Sequence, residues 1–200
     1  ITTMMEHHSN DLPWRKHCRV VHTAVESDGG IALDALRKEI VNNRGRLKLV
    51  AVSGASNVTG ICNPIHEIAA WAHAAGAKVF VDAAQLAPHR AIDILPDDDP
   101  AHIDFIAYSA HKIYAPFGIG VLVGPLEFFE SGVPDQVGGG TVSYVGLDEV
   151  EWGSPPQKDE AGSPNVVGAV ALAAALSILN TVGMQAIAER EHHLLEYAIS

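Results

Sequence analysis

The sequence predicts an α/β fold, a three-layer, mainly parallel sheet covered by helices. Two observations carry this expectation. Short apolar runs rich in Val, Ile and Phe alternate with helical patterns, and within the runs apolar residues stand at successive positions instead of every second one. A strand flanked by helices on both faces needs apolar side chains on both, and that is the mark of a parallel sheet between helical layers.

Taken in order, the first apolar run is Arg19 to Thr23, followed by a helical pattern from Ile31 to Val41. A second run, Lys48 to Ser53, precedes a helix from Pro64 to Ala75. There Ile65, Ile68, Ala69 and Ala72 share one face, and Gly76 supplies a stop. The remaining strands are expected at Lys78 to Asp82, Ile103 to Tyr108 and Gly120 to Val123. Beyond Gly138-Gly139-Gly140, Val166 to Leu179 is an Ala-rich helix with Leu172, Leu176 and Leu179 on one face, and Met184 to Ser200 is a second. No internal repeat or low-complexity stretch interrupts this pattern. The chain begins Ile-Thr-Thr-Met-Met-Glu-His-His and stops inside a helical pattern, so it reads as an excerpt of something longer.

Composition narrows the function classes. A chain of 200 residues with 48% hydrophobic content can bury one substantial core. The formal charge of −11 disfavours DNA and RNA, whose backbones need clustered Lys and Arg. No apolar run reaches the length of a membrane span, and no signal peptide opens the chain, so a soluble protein with no membrane partner is expected. Cys18 and Cys62 stand far apart without a CxxC pair; small buried thiols in a reducing cytoplasm are the expectation. No GxGxxG or GxxxxGK[ST] loop occurs, so dinucleotide and P-loop chemistry recede.

Ligands of open α/β sheets bind beyond the carboxyl ends of the strands, so the polar residues just after each run are read together. Val79-Phe80-Val81 ends in Asp82, with Gln85 close behind. The run ending at Tyr108 continues into Ser109-Ala110-His111-Lys112. A carboxylate and a lysine thus stand at neighbouring strand ends. Pyridoxal 5'-phosphate needs such a pair: an amine for a Schiff base, and a carboxylate to keep the pyridine nitrogen protonated. A plain ion pair at the sheet rim fits the spacing equally well. Lys16, Lys38 and Lys158 lie on polar segments and do not compete for the role. No metal site is indicated: His7, His8 and Asp11 lack a spaced partner, and Asp97 to Asp99 read as a solvated loop between prolines.

The segments Val81-Asp82-Ala83-Ala84-Gln85 and Ser109-Ala110-His111-Lys112-Ile113-Tyr114-Ala115-Pro116-Phe117-Gly118-Ile119-Gly120 resemble the cofactor signature of the class V aminotransferase family, in its cysteine desulfurase and selenocysteine lyase branch. Glu6-His7-His8-Ser9-Asn10, Ser56-Asn57-Val58-Thr59-Gly60 and Glu160-Ala161-Gly162-Ser163-Pro164-Asn165 resemble further family segments. The resemblance implies the large domain of the fold type I pyridoxal phosphate enzymes. Residues 1–180 would be its central part, and 181–200 a helix leading toward a C-terminal small domain.

By position, the resemblance makes Lys112 the Schiff-base lysine, Asp82 the partner of the pyridine nitrogen and Gln85 a donor to the phenolic oxygen. His7 stacks on the ring and assists proton transfer. Asn57 lies near the phenolic oxygen or the substrate carboxylate, while Ser109 and His111 donate to the phosphate. Thr141, after the glycines, reaches the neighbouring subunit's site in a homodimer; by composition alone that loop is only a flexible turn.

The implied activity is that of a pyridoxal phosphate enzyme acting on a small amino acid, first a cysteine desulfurase or selenocysteine lyase. An aminotransferase, an epimerase or another C–S lyase is the alternative within the family. Outside it stands a noncatalytic dimerisation domain, against which the intact set of Lys112, Asp82, Gln85 and His7 argues.

Overall fold

The computed structural model describes residues 1–200. Its central sheet has four strands in the order β3-β4-β5-β6: Leu49–Ser53, Lys78–Asp82, Phe105–Ser109 and Gly120–Val123. The first three run parallel and β6 closes the edge antiparallel to β5. Each parallel crossover carries the chain from one end of the sheet back to the other, and α3 (Ile65–Ala74) makes the first of them. The α/β class expected from the sequence is the one observed.

Strand and helix positions follow the apolar pattern closely. The run at Arg19 to Thr23 yields only the two-residue strand β2 (His22–Thr23), paired with β1 (Thr2–Thr3), because its partner is equally short. Helices α2 (Leu33–Asn42), α5 (Val166–Val182) and α6 (Met184–Ile199) stand where they are expected. Short helices α1 (Leu12–His17) and α4 (Leu126–Glu130) are additions. So is the hairpin β7–β8 (Val142–Val145 and Val150–Trp152), whose tip residue Leu147 is fully exposed. No single helix is long and apolar enough to cross a membrane.

The two faces of the sheet differ. One presents Val50, Val52, Val79 and Val81, all fully buried beneath Leu36 and Ile40 of α2 and Ile68, Ala69 and Ala72 of α3. On the same side, Tyr108 and Val121 meet α5 through Leu172, Ala175 and Leu179. The opposite face carries Phe80 and Phe105, touched at their edges by Trp14 of α1 and Phe128 of α4. Toward the carboxyl ends of the strands this second face is open, and there the sheet offers polar side chains.

At the other end of the sheet Asp104 is fully buried and saturated. It accepts from Lys78 Nζ at 2.7 Å, from His73 Nε2 at 2.8 Å and from the Val79 amide at 2.8 Å, with His102 Nε2 at 3.4 Å. His73 Nδ1 and His102 Nδ1 hydrogen-bond the carbonyls of Pro100 and Asp99, at 2.7 and 2.6 Å. The network fastens the Asp97-to-Asp99 loop to the amino ends of β4 and β5. Although burial acts against it, these hydrogen bonds hold the Asp104 carboxyl below the usual carboxylate range.

Three side chains depart from expectation. Lys158 does not lie in solvent: it is 3% exposed, and its amine donates to the carbonyls of Ser131 and Gly132 at 3.1 and 3.2 Å. Its polar neighbours in sequence conceal that role. Cys18 and Cys62, expected to be buried, are both exposed: Cys18 is the extended residue that ends α1 and Cys62 bridges to Ala55 in the loop after β3, both outside the apolar runs.

Ile68 lies on α3 at zero exposure against the sheet. Ile68→Ala should therefore lower unfolding free energy by about 2–5 kcal/mol in urea titration, whereas Leu147→Ala at the exposed hairpin tip should change it by under about 0.5 kcal/mol.

Candidate active site

In-register pairing decides which side chains meet. Ser53 pairs with Asp82, Asp82 with Ala107, and Ala107 with Leu122, so one row crosses four strands on the open face. Ser109, paired with Gly120, stands one step further toward the strand ends on that same face. A cavity of about 670 Å³ lies over this row, and it is lined by His7, Asn57, Asp82, Gln85, Ser109, His111 and Lys112. All the site residues read from the sequence except Thr141 are brought together here.

Each arrives by a local device. Gly54 follows β3 so closely packed that a Cβ there would lie 2.8 Å from Leu86 Cδ2; only glycine lets the Asn57 loop lie against the Gln85 turn. That loop is braced by Ser56 Oγ, which accepts from the amides of Val58 and Thr59, both at 3.2 Å. Asp82 Oδ1 accepts from the Ala84 amide at 2.9 Å, which turns the chain and leaves Oδ2 without a protein donor.

Lys112 sits on a 3-10 turn, Ala110–Ile113, immediately after β5. Ala110, Ile113 and Ala115 are buried against Leu172, Ala175 and Leu179 of α5, so α5 holds the turn from beneath while Lys112 lines the cavity. The turn is backbone-strained: Tyr114 and Phe117 both have left-handed φ, 66° and 76°. Asn165 Nδ2 donates to the Phe117 carbonyl at 2.5 Å, and Asn165 Oδ1 accepts from the Gly168 amide at the start of α5.

The rim ion pair allowed by the spacing is not formed. The salt bridges of the chain centre on Asp11, Asp104, Glu191 and Glu196, and neither Asp82 nor Lys112 takes part. A half-buried amine and a carboxylate oxygen are both left available in one cavity.

His7 is the N-cap of the 3-10 turn His8–Asn10, and His8 does not line the cavity. The Ser9 amide donates to His7 Nδ1 at 3.2 Å, with Ser9 Oγ at 3.0 Å. Nδ1 is therefore an acceptor, and the neutral ring carries its proton on Nε2.

Glu6, which the sequence reading includes in the Glu-His segment without a role, stands behind His7: its carboxylate takes hydrogen bonds from Thr3, Asn10 and Ser53. Burial pushes its carboxyl above the usual range in spite of those three donors. The only signal in the sequence is its place in Glu-His-His.

Thr141 lies outside the cavity. It is fully buried, and its hydroxyl donates to the Gly138 carbonyl at 2.7 Å and accepts from the Gly138 amide at 3.3 Å, closing the glycine turn on itself. Gly162 donates to Gly139 at 2.8 Å and so ties the Glu160-to-Asn165 segment to the same turn.

At the carboxyl edge of this α/β sheet one cavity gathers a lysine, a carboxylate, hydroxyls and imidazoles, the polar groups of an enzyme site. The model of the aminotransferase class-V family matches residues 1–200, and the chain belongs to that family. A cysteine desulfurase of Enterobacter sp. is 39% identical over the whole chain and 49% of its own length.

Among solved structures, a cysteine desulfurase of Thermococcus onnurineus NA1 superposes with a TM-score of 0.85 at 36% identity, covering 98% of this chain and 49% of that one. The cysteine desulfurase CsdA of Escherichia coli gives 0.79 at 37% identity, covering 92% and 45%. The chain spans about half the length of the relatives it matches.

The family is pyridoxal phosphate-dependent, and the donor set fits that group. The cavity is lined by small residues such as Ala55, Ala84, Ala107 and Gly120 together with the apolar Phe80, Tyr108, Val121 and Leu122, and its polar lining supplies an amine, an acceptor-only carboxylate and short donors.

Beside the site, Arg15 and then His22 hold the Asp11 carboxyl at about 2 through hydrogen bonds that outweigh its burial. A carboxyl depressed on folding contributes stability at pH above its ordinary value and loses it as the pH falls toward its folded value. Unfolding free energy should thus decline between about pH 4 and pH 2, and Asp11→Asn should flatten that part of a pH-stability profile from chemical denaturation.

Proposed function

We propose that this chain is the catalytic core of a cytoplasmic pyridoxal phosphate enzyme acting on a small amino acid, with cysteine desulfurase or selenocysteine lyase activity in the whole protein. The observation that supports this most is the free Lys112 amine sharing one cavity with an Asp82 carboxylate that has no cationic partner. Desulfurase names among relatives matched across the whole chain favour sulfur chemistry over transamination.

In this reading Lys112 would be the residue that holds the cofactor through its amine, and when free its amine would take and return the proton at the substrate Cα. Asp82 holds a proton at the pyridine nitrogen, and Gln85 donates to the phenolic oxygen. When bound, pyridoxal phosphate supplies a ring that withdraws electrons from Cα. Ser109 and His111 donate to the phosphate. Asn57 lies on the side of the substrate carboxylate or phenolic oxygen. His7 stacks on the ring and presents its Nε2–H to the reacting groups.

Residues 1–180 form the central part of the large domain, and 181–200 lead toward a small domain. We also infer a homodimer, in which the glycine turn closed by Thr141 approaches the neighbouring subunit's site; the Thr141 hydroxyl shapes that turn instead of leaving it.

Incubation with pyridoxal phosphate should give a long-wavelength absorbance band, and borohydride reduction followed by peptide mass mapping should find the adduct on Lys112. Lys112→Ala should abolish both. Adducts scattered over surface lysines in the wild type would overturn the reading. Asp82→Asn should retain the Lys112 adduct and lower turnover of the whole enzyme on the order of 10²-fold or more, read in a steady-state assay of sulfide release from cysteine.

A further inference from the structure

We propose that Glu6 is the positioning residue of His7: its carboxylate ties the turn carrying the imidazole to two strand ends and thereby sets where the ring stands over the cavity. Thr3 Oγ1 at the end of β1 donates to Glu6 Oε1 at 2.5 Å. Asn10 Nδ2 and Ser53 Oγ donate to Oε2, both at 2.7 Å. Three segments, one of them 47 residues away, converge on one side chain.

Ser53 stands in register with Asp82, so the anchor belongs to the row that floors the cavity. Asn10 is 2% exposed and is itself held by Trp14 Nε1 at 3.0 Å. His7 lies between Glu6 and Asn10 in sequence, and both of its flanks are thus fastened by the same carboxylate. The ring itself is exposed, with only Ser9 as a hydrogen-bond partner, so packing does not orient it.

The chemistry asks for a carboxylate at this position. Three donors converge, and an ionised carboxylate is acceptor-only, with room for all of them. A glutamine with its oxygen toward Asn10 and Ser53 would turn an N–H toward the Thr3 hydroxyl, which must then accept instead of donate, so the charge-assisted convergence of three donors on one acceptor-only group is lost. An aspartate is one methylene too short to reach Thr3 and Ser53 together.

This inference deepens the proposed function and rests on the reading that His7 faces the reacting groups, but its test does not need bound cofactor. Long-range proton–nitrogen NMR of the full chain labelled with ¹⁵N-histidine, with His7→Gln to assign the signals, reads the ring nitrogens directly. In the wild type His7 should show an unprotonated Nδ1 and a protonated Nε2.

Glu6→Gln should average the two nitrogen shifts and, in the whole enzyme, lower kcat on the order of tenfold with KM little changed, while the Lys112 adduct still forms. A Glu6 that only supports the fold would lower the thermal midpoint and leave the His7 shifts as they are, and that result overturns the proposal. Should Glu6→Gln not fold, Ser53→Ala keeps the carboxylate and removes one anchor. A weakened Nε2–H preference there supports the proposal, and unchanged His7 shifts overturn it. Failure of the adduct at Lys112 in the wild type would instead count against the proposed function alone.

Discussion

The in-register parallel pairing of β3, β4 and β5 is the constraint from which the site follows. Because paired residues of neighbouring strands point to the same face, the choice of register that buries Val50, Val52, Val79 and Val81 on one side commits Ser53, Asp82 and Ala107 to the other. A slip of one residue would bury Asp82 in the valine layer and turn Val81 into the cavity. The apolar core and the polar row are therefore one decision, made by hydrophobic burial and read out as chemistry on the opposite face.

The same economy governs the lysine. Its 3-10 turn is only four residues long, and two residues just beyond it are in left-handed conformation. Its stability comes from the apolar positions on either side of Lys112, which pack on α5, a helix more than fifty residues further along the chain. Asn165 joins the two ends of this arrangement by capping α5 with one side-chain atom and holding the Phe117 carbonyl with another. The Glu160-to-Asn165 segment is thus both the start of that helix and a brace for the strained loop.

Much of this was legible in the sequence, for reasons specific to particular residues. Strands are written as consecutive apolar residues, so Lys78–Asp82 in the sheet's interior and Gly120–Val123 at its exposed edge could be bounded to the residue. Asp82 and Lys112 could be found because polar residues directly after such runs have one place to go in a parallel sheet. The hairpin at Val142–Trp152 could not, since its exposed strands carry no alternation set by a core. Lys158 and Glu6 escaped for a deeper reason: each is defined by acceptors or donors brought from distant segments, Ser131 and Gly132 in one case and Ser53 in the other. Local pattern reports which face a residue takes, and it is silent on which polar partners wait there.

Strand β4 shows how the fold divides its polar groups between holding and reacting. At its amino end, Lys78 and the Val79 amide bind Asp104, and two imidazoles complete the set, so every charge there has a partner. At its carboxyl end, Asp82 gives one oxygen to the Ala84 amide and keeps the other, while Lys112 on the next strand's turn has no carboxylate at all. The residue types are the same, Asp, Lys and His; the difference is saturation. A saturated network is closed to ligands, and removing any partner strands a buried charge, which is the behaviour of structure. An unsaturated pair of acid and amine, held apart on neighbouring strand ends in one cavity, retains its bonding capacity for something else. Strand β4 thus carries a saturated fastening at its amino end and, at its carboxyl end, an unpaired carboxylate beside the Lys112 amine of the next strand's turn, and the parallel sheet keeps the two a full strand length apart.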